Sequence, residues 1–247
     1  MSQLTRFIIL AAPRTGSNLL CTLLNSHPDV LCHHELFNPR GIYYALDHRD
    51  GSLDFGSLET RDREPDAFLQ RVWTHPLGAA CVGFKMTRGQ DAAIMQEMTG
   101  DSGVLKIVLH RRNRLKTYVS EQLARRSDTW EVYAPEQRAT GVPRLQIDAD
   151  AFRAHVADND RFYRDLRHVL TSGRQPWIET AYEALFSAAE QRRLLEFLGV
   201  EASGAALVEA SIKQNDSDLR SHIANFEELE SALAGSEYLA QLHDRRH

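Results

Sequence analysis

The stretch that most constrains this chain is a short apolar run, Phe7-Ile8-Ile9-Leu10-Ala11, that enters Pro13-Arg14-Thr15-Gly16-Ser17-Asn18 and then a segment with Leu19, Leu20, Leu23 and Leu24 at helical spacing. It reads as a buried strand, a tight glycine turn and a helix that opens near Ser17. A helix start gathers backbone N–H groups and the positive end of the helix dipole, which favours an anion such as phosphate or sulfate. Gly16 permits close backbone approach, and Arg14 adds a permanent charge with a planar donor fork. Read alone, the pattern is equally that of an ordinary helix start beside an arginine. Its basic residue precedes the glycine, unlike the G-x-x-x-x-G-K-[ST] loop of triphosphate enzymes, so a smaller anionic group is expected.

The same strand-then-helix grammar recurs. Residues 81–87 and 104–109 read as buried strands, and Leu115, Tyr118, Val119 and Leu123 mark a helix. Residues 150–171 form an amphipathic helix, Pro176-Trp177-Ile178 begins a late strand, and Leu194, Leu195 and Leu198 lie on a helix closed by Gly199. The expectation is an α/β, P-loop-like three-layer fold: a mainly parallel central sheet flanked by helices, in one domain over residues 1–247. Such sheets bind ligands beyond the carboxyl ends of their strands. Residues 40–66 and 128–149, polar and punctuated by Gly and Pro, break the alternation and are expected to be surface insertions at an acceptor site.

Composition bounds the partners. Twenty-nine basic against thirty-four acidic residues give a net charge of −5, which argues against a nucleic-acid coat but not against a local basic pocket. Cys21, Cys32 and Cys81 lack C-x-x-C spacing, and the short N-terminal apolar run suits neither a signal peptide nor a membrane span. A reduced, cytoplasmic protein without an integral membrane segment is expected. Adjacent His33 and His34 do not have the spacing of a metal-binding helix pair, and basic residues follow the 104–109 strand where a magnesium-holding aspartate would stand. No metal is expected.

A second anchor is His110-Arg111-Arg112-Asn113-Arg114-Leu115-Lys116-Thr117-Tyr118-Val119-Ser120. Arg112 at the strand end and Ser120 two turns into the helix could grip one phosphate from two sides, while Arg111, Arg114 and Lys116 read as a solvated basic helix start. With both segments in this order and separation, the chain resembles the sulfotransferases that use 3′-phosphoadenosine 5′-phosphosulfate (PAPS), most closely bacterial carbohydrate sulfotransferases of the trehalose and Nod-factor type. The resemblance implies that Arg14, Thr15, Gly16, Ser17 and Asn18 hold the 5′-phosphosulfate and that Arg112 and Ser120 hold the 3′-phosphate. Arg114 replaces a proline usual in the second motif. Tyr182-Glu183-Ala184-Leu185 resembles the family's Y-E-D-L element, with Tyr182 beside the adenine and Ala184 in place of aspartate. Lys213 and Gln214 match a segment that closes over the nucleotide.

The resemblance implies sulfuryl transfer from PAPS, without a metal, to a hydroxyl or amine of a carbohydrate or small metabolite, leaving adenosine 3′,5′-bisphosphate (PAP). Arg14 and Lys85, in Gly83-Phe84-Lys85-Met86, are then the cations on the transferring group. Some relatives place a histidine where this chain has Thr87, and others use a glutamate after the first helix. Glu35 fits the second arrangement as general base, with His34 the alternative. The competing readings are a small P-loop kinase and a nucleotide-binding module without catalysis. The oligomeric state is not written in the sequence.

Overall fold

The computed structural model describes residues 4–132, 143–201, 207–208 and 218–246. Five parallel strands form one sheet: β1 (Thr5–Ala11), β2 (Val30–His33), β3 (Cys81–Thr87), β4 (Val104–His110) and β5 (Trp177–Ala181), in the spatial order β2-β3-β1-β4-β5. β1 is central and fully hydrogen-bonded on both sides. Its Phe7, Ile9 and Ala11 meet α1 (Ser17–Asn25) and α7 (Ala188–Leu198), while Ile8 and Leu10 face α3 (Pro65–Thr74), α4 (Ala92–Gly100) and α6 (Ala149–Ser172). This alternation buries both faces of the sheet and makes three layers, as the apolar runs in the sequence imply.

A further apolar cluster joins α5 (Arg114–Ser127) and the first half of α6 to α8 (Phe226–Ala232) and α9 (Tyr238–Leu242). The three cysteines are buried thiols. No helix among the described residues is long and apolar enough to cross a membrane.

Two features depart from the sequence reading. β2, with four residues, carries too little periodicity to be marked in the sequence, yet it places the residues that follow it beside β3. Residues 40–66 are not simply superficial. They contain a 3-10 turn and α2 (Leu58–Arg63), and they bury Ala45, Phe55 and Arg61. The Arg61 guanidinium donates to the carbonyls of Leu36 at 2.9 Å, Asn38 at 2.8 Å and Gly41 at 3.3 Å, tying down the chain after β2. Polar composition hid this packing, because a buried arginine that satisfies carbonyls reads like a solvated one in sequence.

At their carboxyl ends β1 and β4 part, and Tyr163 of α6 bridges them. Its hydroxyl accepts from Ala12 N–H at 2.9 Å and donates to the Leu109 carbonyl at 2.7 Å. The ring is fully buried. We predict that Tyr163→Phe costs about 1–3 kcal/mol in denaturant unfolding, because it orphans a buried donor and a buried acceptor together. A loss below about 0.5 kcal/mol would show that these groups find other partners.

Candidate active site

A cavity of about 650 Å³ opens over the carboxyl ends of the strands. The sheet order divides its lining. Arg14, Gly16, Ser17, Asn18, Arg111 and Tyr182 follow the ends of β1, β4 and β5, and Lys116 and Ser120 come from α5, the helix after β4. Glu35, Asn38, Arg40, Tyr43, Lys85, Thr87, Arg88 and Gln90 come from the ends of β2 and β3.

On the first side, Gly16 is the N-cap of α1 with φ 92°, and a glycine there brings no side chain of its own to cap the helix. A Cβ at Gly16 would stand 2.2 Å from Cδ2 of Tyr182, so glycine is required both by conformation and by this packing. Arg14, also at positive φ (62°), donates through Nε to Ser120 Oγ at 3.0 Å and through Nη1 to the Trp130 carbonyl at 2.6 Å. Burial, and then the charge of Arg111, push the Arg14 guanidinium down to about 10. Arg111 is buried, stacks 4.5 Å over the Tyr182 ring, and is lowered chiefly by desolvation. Lys116 is buried too, and its ammonium donates to the Arg246 carbonyl.

The start of α5 is closed by the protein itself. Glu183 accepts from the N–H groups of Arg112 and Asn113, Gln241 Oε1 from those of Arg114 and Leu115, and the Asn113 side chain caps Lys116 N–H. Side chains, rather than helix N–H groups, are therefore what α5 presents to the cavity.

Several expected positions are corrected here. Arg112 is exposed and does not line the cavity; Arg111 does. The reason is strand alternation. Ile107 and Leu109 face α1, so residue 111 continues on that face and residue 112 turns away. Lys116, expected in solvent, lies four residues before Ser120 on one helix face and is buried in the cavity wall. Thr15 is buried and its hydroxyl donates to the Ala12 carbonyl at 2.8 Å, closing the turn rather than lining the cavity. Lys213 and Gln214 lie outside the described residues.

On the second side, the Lys85 N–H donates to the His34 carbonyl at 3.1 Å, extending the β2–β3 pairing past the last residue of β2. Glu35 is thereby set against Lys85, with Nζ to Oε1 at 2.6 Å, and its Oε2 accepts from Asn38 Nδ2 at 2.5 Å. Burial opposes ionisation of Glu35, but the charge and hydrogen bond of Lys85, with that of Asn38, outweigh it and hold the carboxyl below its ordinary range. Burial likewise opposes the charge on Lys85, and Glu35 overcomes it, so the ammonium titrates above its usual value. The pair is ionised at neutral pH.

His34 is buried and does not line the cavity; its Nδ1 lies 3.7 Å from Glu131 Oε1, and desolvation lowers it. His33 is pushed down to about 3 by burial within an aromatic cluster with Tyr44 and Phe55. Glu131, unmarked in the sequence because it sits in a loop, lines the cavity and also engages Arg49 at 2.8 Å and Asn18 at 3.4 Å. Among the described residues, no group of three or more His, Cys, Asp or Glu side chains could hold a metal ion.

No protein-family model matches the chain. The chain is 28% identical to nodulation protein H of Rhizobium tropici over 235 residues, which is 94% of this chain and 90% of that protein. It is also 28% identical to nodulation protein H of Rhizobium meliloti strain 1021 over 237 residues, 94% and 92% of the two chains. Both similarities run over nearly the whole length of this chain. Among solved structures, a sulfotransferase from Alicyclobacillus acidocaldarius aligns with TM-score 0.49 at 17% identity, covering 98% of this chain and 95% of that one. A mouse sulfotransferase complexed with PAP aligns with TM-score 0.44 at 11% identity, covering 97% and 74%.

The Lys85–Glu35 pair gives a direct test. In the wild type Glu35 should titrate below its ordinary 4.5, so its contribution to stability is complete above that value and is lost as pH falls through the lower folded value. Lys85→Met removes the opposing charge and leaves burial dominant, so Glu35 should move above 4.5. Carboxyl-carbon NMR of labelled glutamate checks this. An unmoved or lowered Glu35 in the variant would contradict it.

Proposed function

We propose that this homologue of nodulation protein H is a sulfotransferase that takes a sulfuryl group from PAPS and places it on a hydroxyl or amine of a carbohydrate or small metabolite. One observation carries the reading: a single cavity joins an anion cradle over β1, β4 and β5 to an ionised Glu35–Lys85 pair over β2 and β3. The cradle's chemistry fits a nucleotide with separated anionic groups. Gly16 and Ser17 offer the helix start, Arg14, Arg111 and Lys116 offer charge, Ser120 offers a hydroxyl, and Tyr182 offers a ring face. The homology to nodulation protein H supports the same class of enzyme.

In this reading PAPS supplies an activated sulfuryl group on a phosphate leaving group. Arg14 and the α1 start bind the phosphosulfate end. Arg111, with Lys116 and Ser120, takes the 3′-phosphate role expected of Arg112, and Tyr182 packs beside the base. Glu35 accepts the acceptor's proton as its oxygen or nitrogen bonds to sulfur, and the sulfur–oxygen bond to the nucleotide breaks with its electron pair leaving on PAP. Lys85 holds Glu35 ionised beforehand and stabilises charge on the transferring group. A carboxylate under that influence is a weak base. Shift of the Lys85 hydrogen bond from Glu35 toward the sulfuryl oxygens strengthens it as the proton moves. The residues after β2 and the 128–132 segment form the acceptor wall, where Tyr43 and Trp130 offer ring surface and Asn38 and Gln90 offer amides.

Incubation with labelled PAPS and a panel of sugar and metabolite acceptors, read by mass spectrometry, tests the reading. Appearance of a sulfated product supports it, and PAP binding without any transfer across the panel would favour a module that only binds nucleotide. Arg111→Ala should weaken PAP binding by about 1.5–3 kcal/mol more than adenosine 5′-phosphosulfate binding, whereas Arg112→Ala should leave both nearly unchanged. The reverse ranking by calorimetry would return the 3′-phosphate to Arg112. Glu35→Gln should lower kcat by roughly 10²- to 10⁴-fold with PAP affinity retained. Near-normal turnover in Glu35→Gln, beside an inactive but PAP-binding His34→Gln, would move the base to His34.

A further inference from the structure

The cations on the β2–β3 side of the cavity are not alike. Lys85 is paired with Glu35 at 2.6 Å, and Arg40 with Asp128 at 2.8 Å. Arg88 also lines the cavity, but its side chain has no hydrogen bond or ion pair among the described residues, and its Nε is buried. A desolvated guanidinium donor without an acceptor is unfavourable unless something else supplies one.

The backbone that presents this side chain is pinned. Arg88 N–H donates to the Ala11 carbonyl at 2.8 Å, prolonging the β1–β3 ladder. Thr87 N–H donates to Gln90 Oε1 at 3.2 Å, and Gln90 N–H returns to the Thr87 carbonyl at 3.1 Å across Gly89 at φ 92°. Arg88 therefore stands at a fixed height as the residue that follows β3, three positions beyond Lys85.

We propose that Arg88 is a specificity residue for an acidic acceptor: it receives a carboxylate, phosphate or sulfate group carried near the hydroxyl or amine that faces Glu35. The inference rests on the sulfotransferase reading and narrows its acceptor class. The planar fork suits a carboxylate or a phosphate monoester bidentately, and β3 lies on the opposite side of β1 from the β4–β5 half that fits the nucleotide. The group's charge would be neutralised by Arg88, since the other cations named on that side already have carboxylate partners.

The test uses the full chain, first titrated with PAP and then, saturated with PAP, with methyl glucoside, methyl glucuronide and glucose 6-phosphate. The wild type should bind at least one of the two acidic sugars about tenfold or more tightly than the neutral one, the scale of a single charge-assisted contact. Which acidic sugar is favoured identifies the anion. Arg88→Gln should erase the preference while keeping PAP affinity within about twofold, and Arg88→Lys should retain part of the preference. A wild type that holds PAP without preferring either acidic sugar overturns the proposal, as does a preference that survives in Arg88→Gln. A loss of PAP binding in Arg88→Gln overturns it too, by assigning the guanidinium to the donor side. Failure of the wild type to bind PAP at all would instead remove the sulfotransferase reading on which the proposal stands.

Discussion

The site is organised around positive charge held away from water. Arg14, Arg111 and Lys116 converge on one half of a cavity, Lys85 stands in the other, and burial is the largest influence opposing the charge on Arg14, Arg111 and Lys85. Like charges in such a place are unfavourable unless carboxylates, carbonyls or a bound anion offset them. The chain supplies part of the offset. Glu35 takes Lys85, Ser120 and the Trp130 carbonyl take Arg14, and the Tyr182 ring lies under Arg111. An anionic ligand that replaces or joins these contacts is bound by charges already in position.

That arrangement depends on a few rigid supports outside the cavity. Tyr163 spans the gap where β1 and β4 separate, which fixes the height of the turn carrying Arg14 relative to the strand end carrying Arg111. The Tyr182 ring fills the space above Gly16, so the third strand end is keyed to the same turn. Arg61 gathers three carbonyls after β2 and holds the loop whose first residues include Glu35. Gln241 and Glu183 close the start of α5, leaving its inward side chains to define the cavity wall. Each support joins elements distant in the sequence.

This separation explains what could be read from the residues alone. The apolar runs around β1, β3 and β4 and the turn at Gly16 declare themselves locally, so the parallel architecture and the place of that turn in the cavity wall are legible. So are the positions of Lys85 and Glu35 in one site, although the hydrogen bond between them is not. Which of Arg111 and Arg112 lines the cavity is a matter of phase: the motif sets the spacing from Arg112 to Ser120, but two-residue alternation along β4 turns Arg111 to the cavity and leaves Arg112 exposed. Lys116 could have been found from its four-residue spacing to Ser120. Arg88 and Glu131 could not, because their places follow from loop paths and from contacts with Ala11, Asn18 and Arg49 that no local pattern encodes.

We propose that the cradle over β1, β4 and β5 is shaped for a nucleotide bearing a 3′-phosphate, not for a triphosphate with a metal. Calorimetric titration of the wild-type chain with PAP, and separately with ATP plus magnesium, tests it most directly. Saturable binding of PAP is expected, and none of comparable strength for ATP with magnesium. Tight binding of ATP with magnesium and no response to PAP would contradict it and point to a phosphoryl-transfer enzyme built on the same sheet.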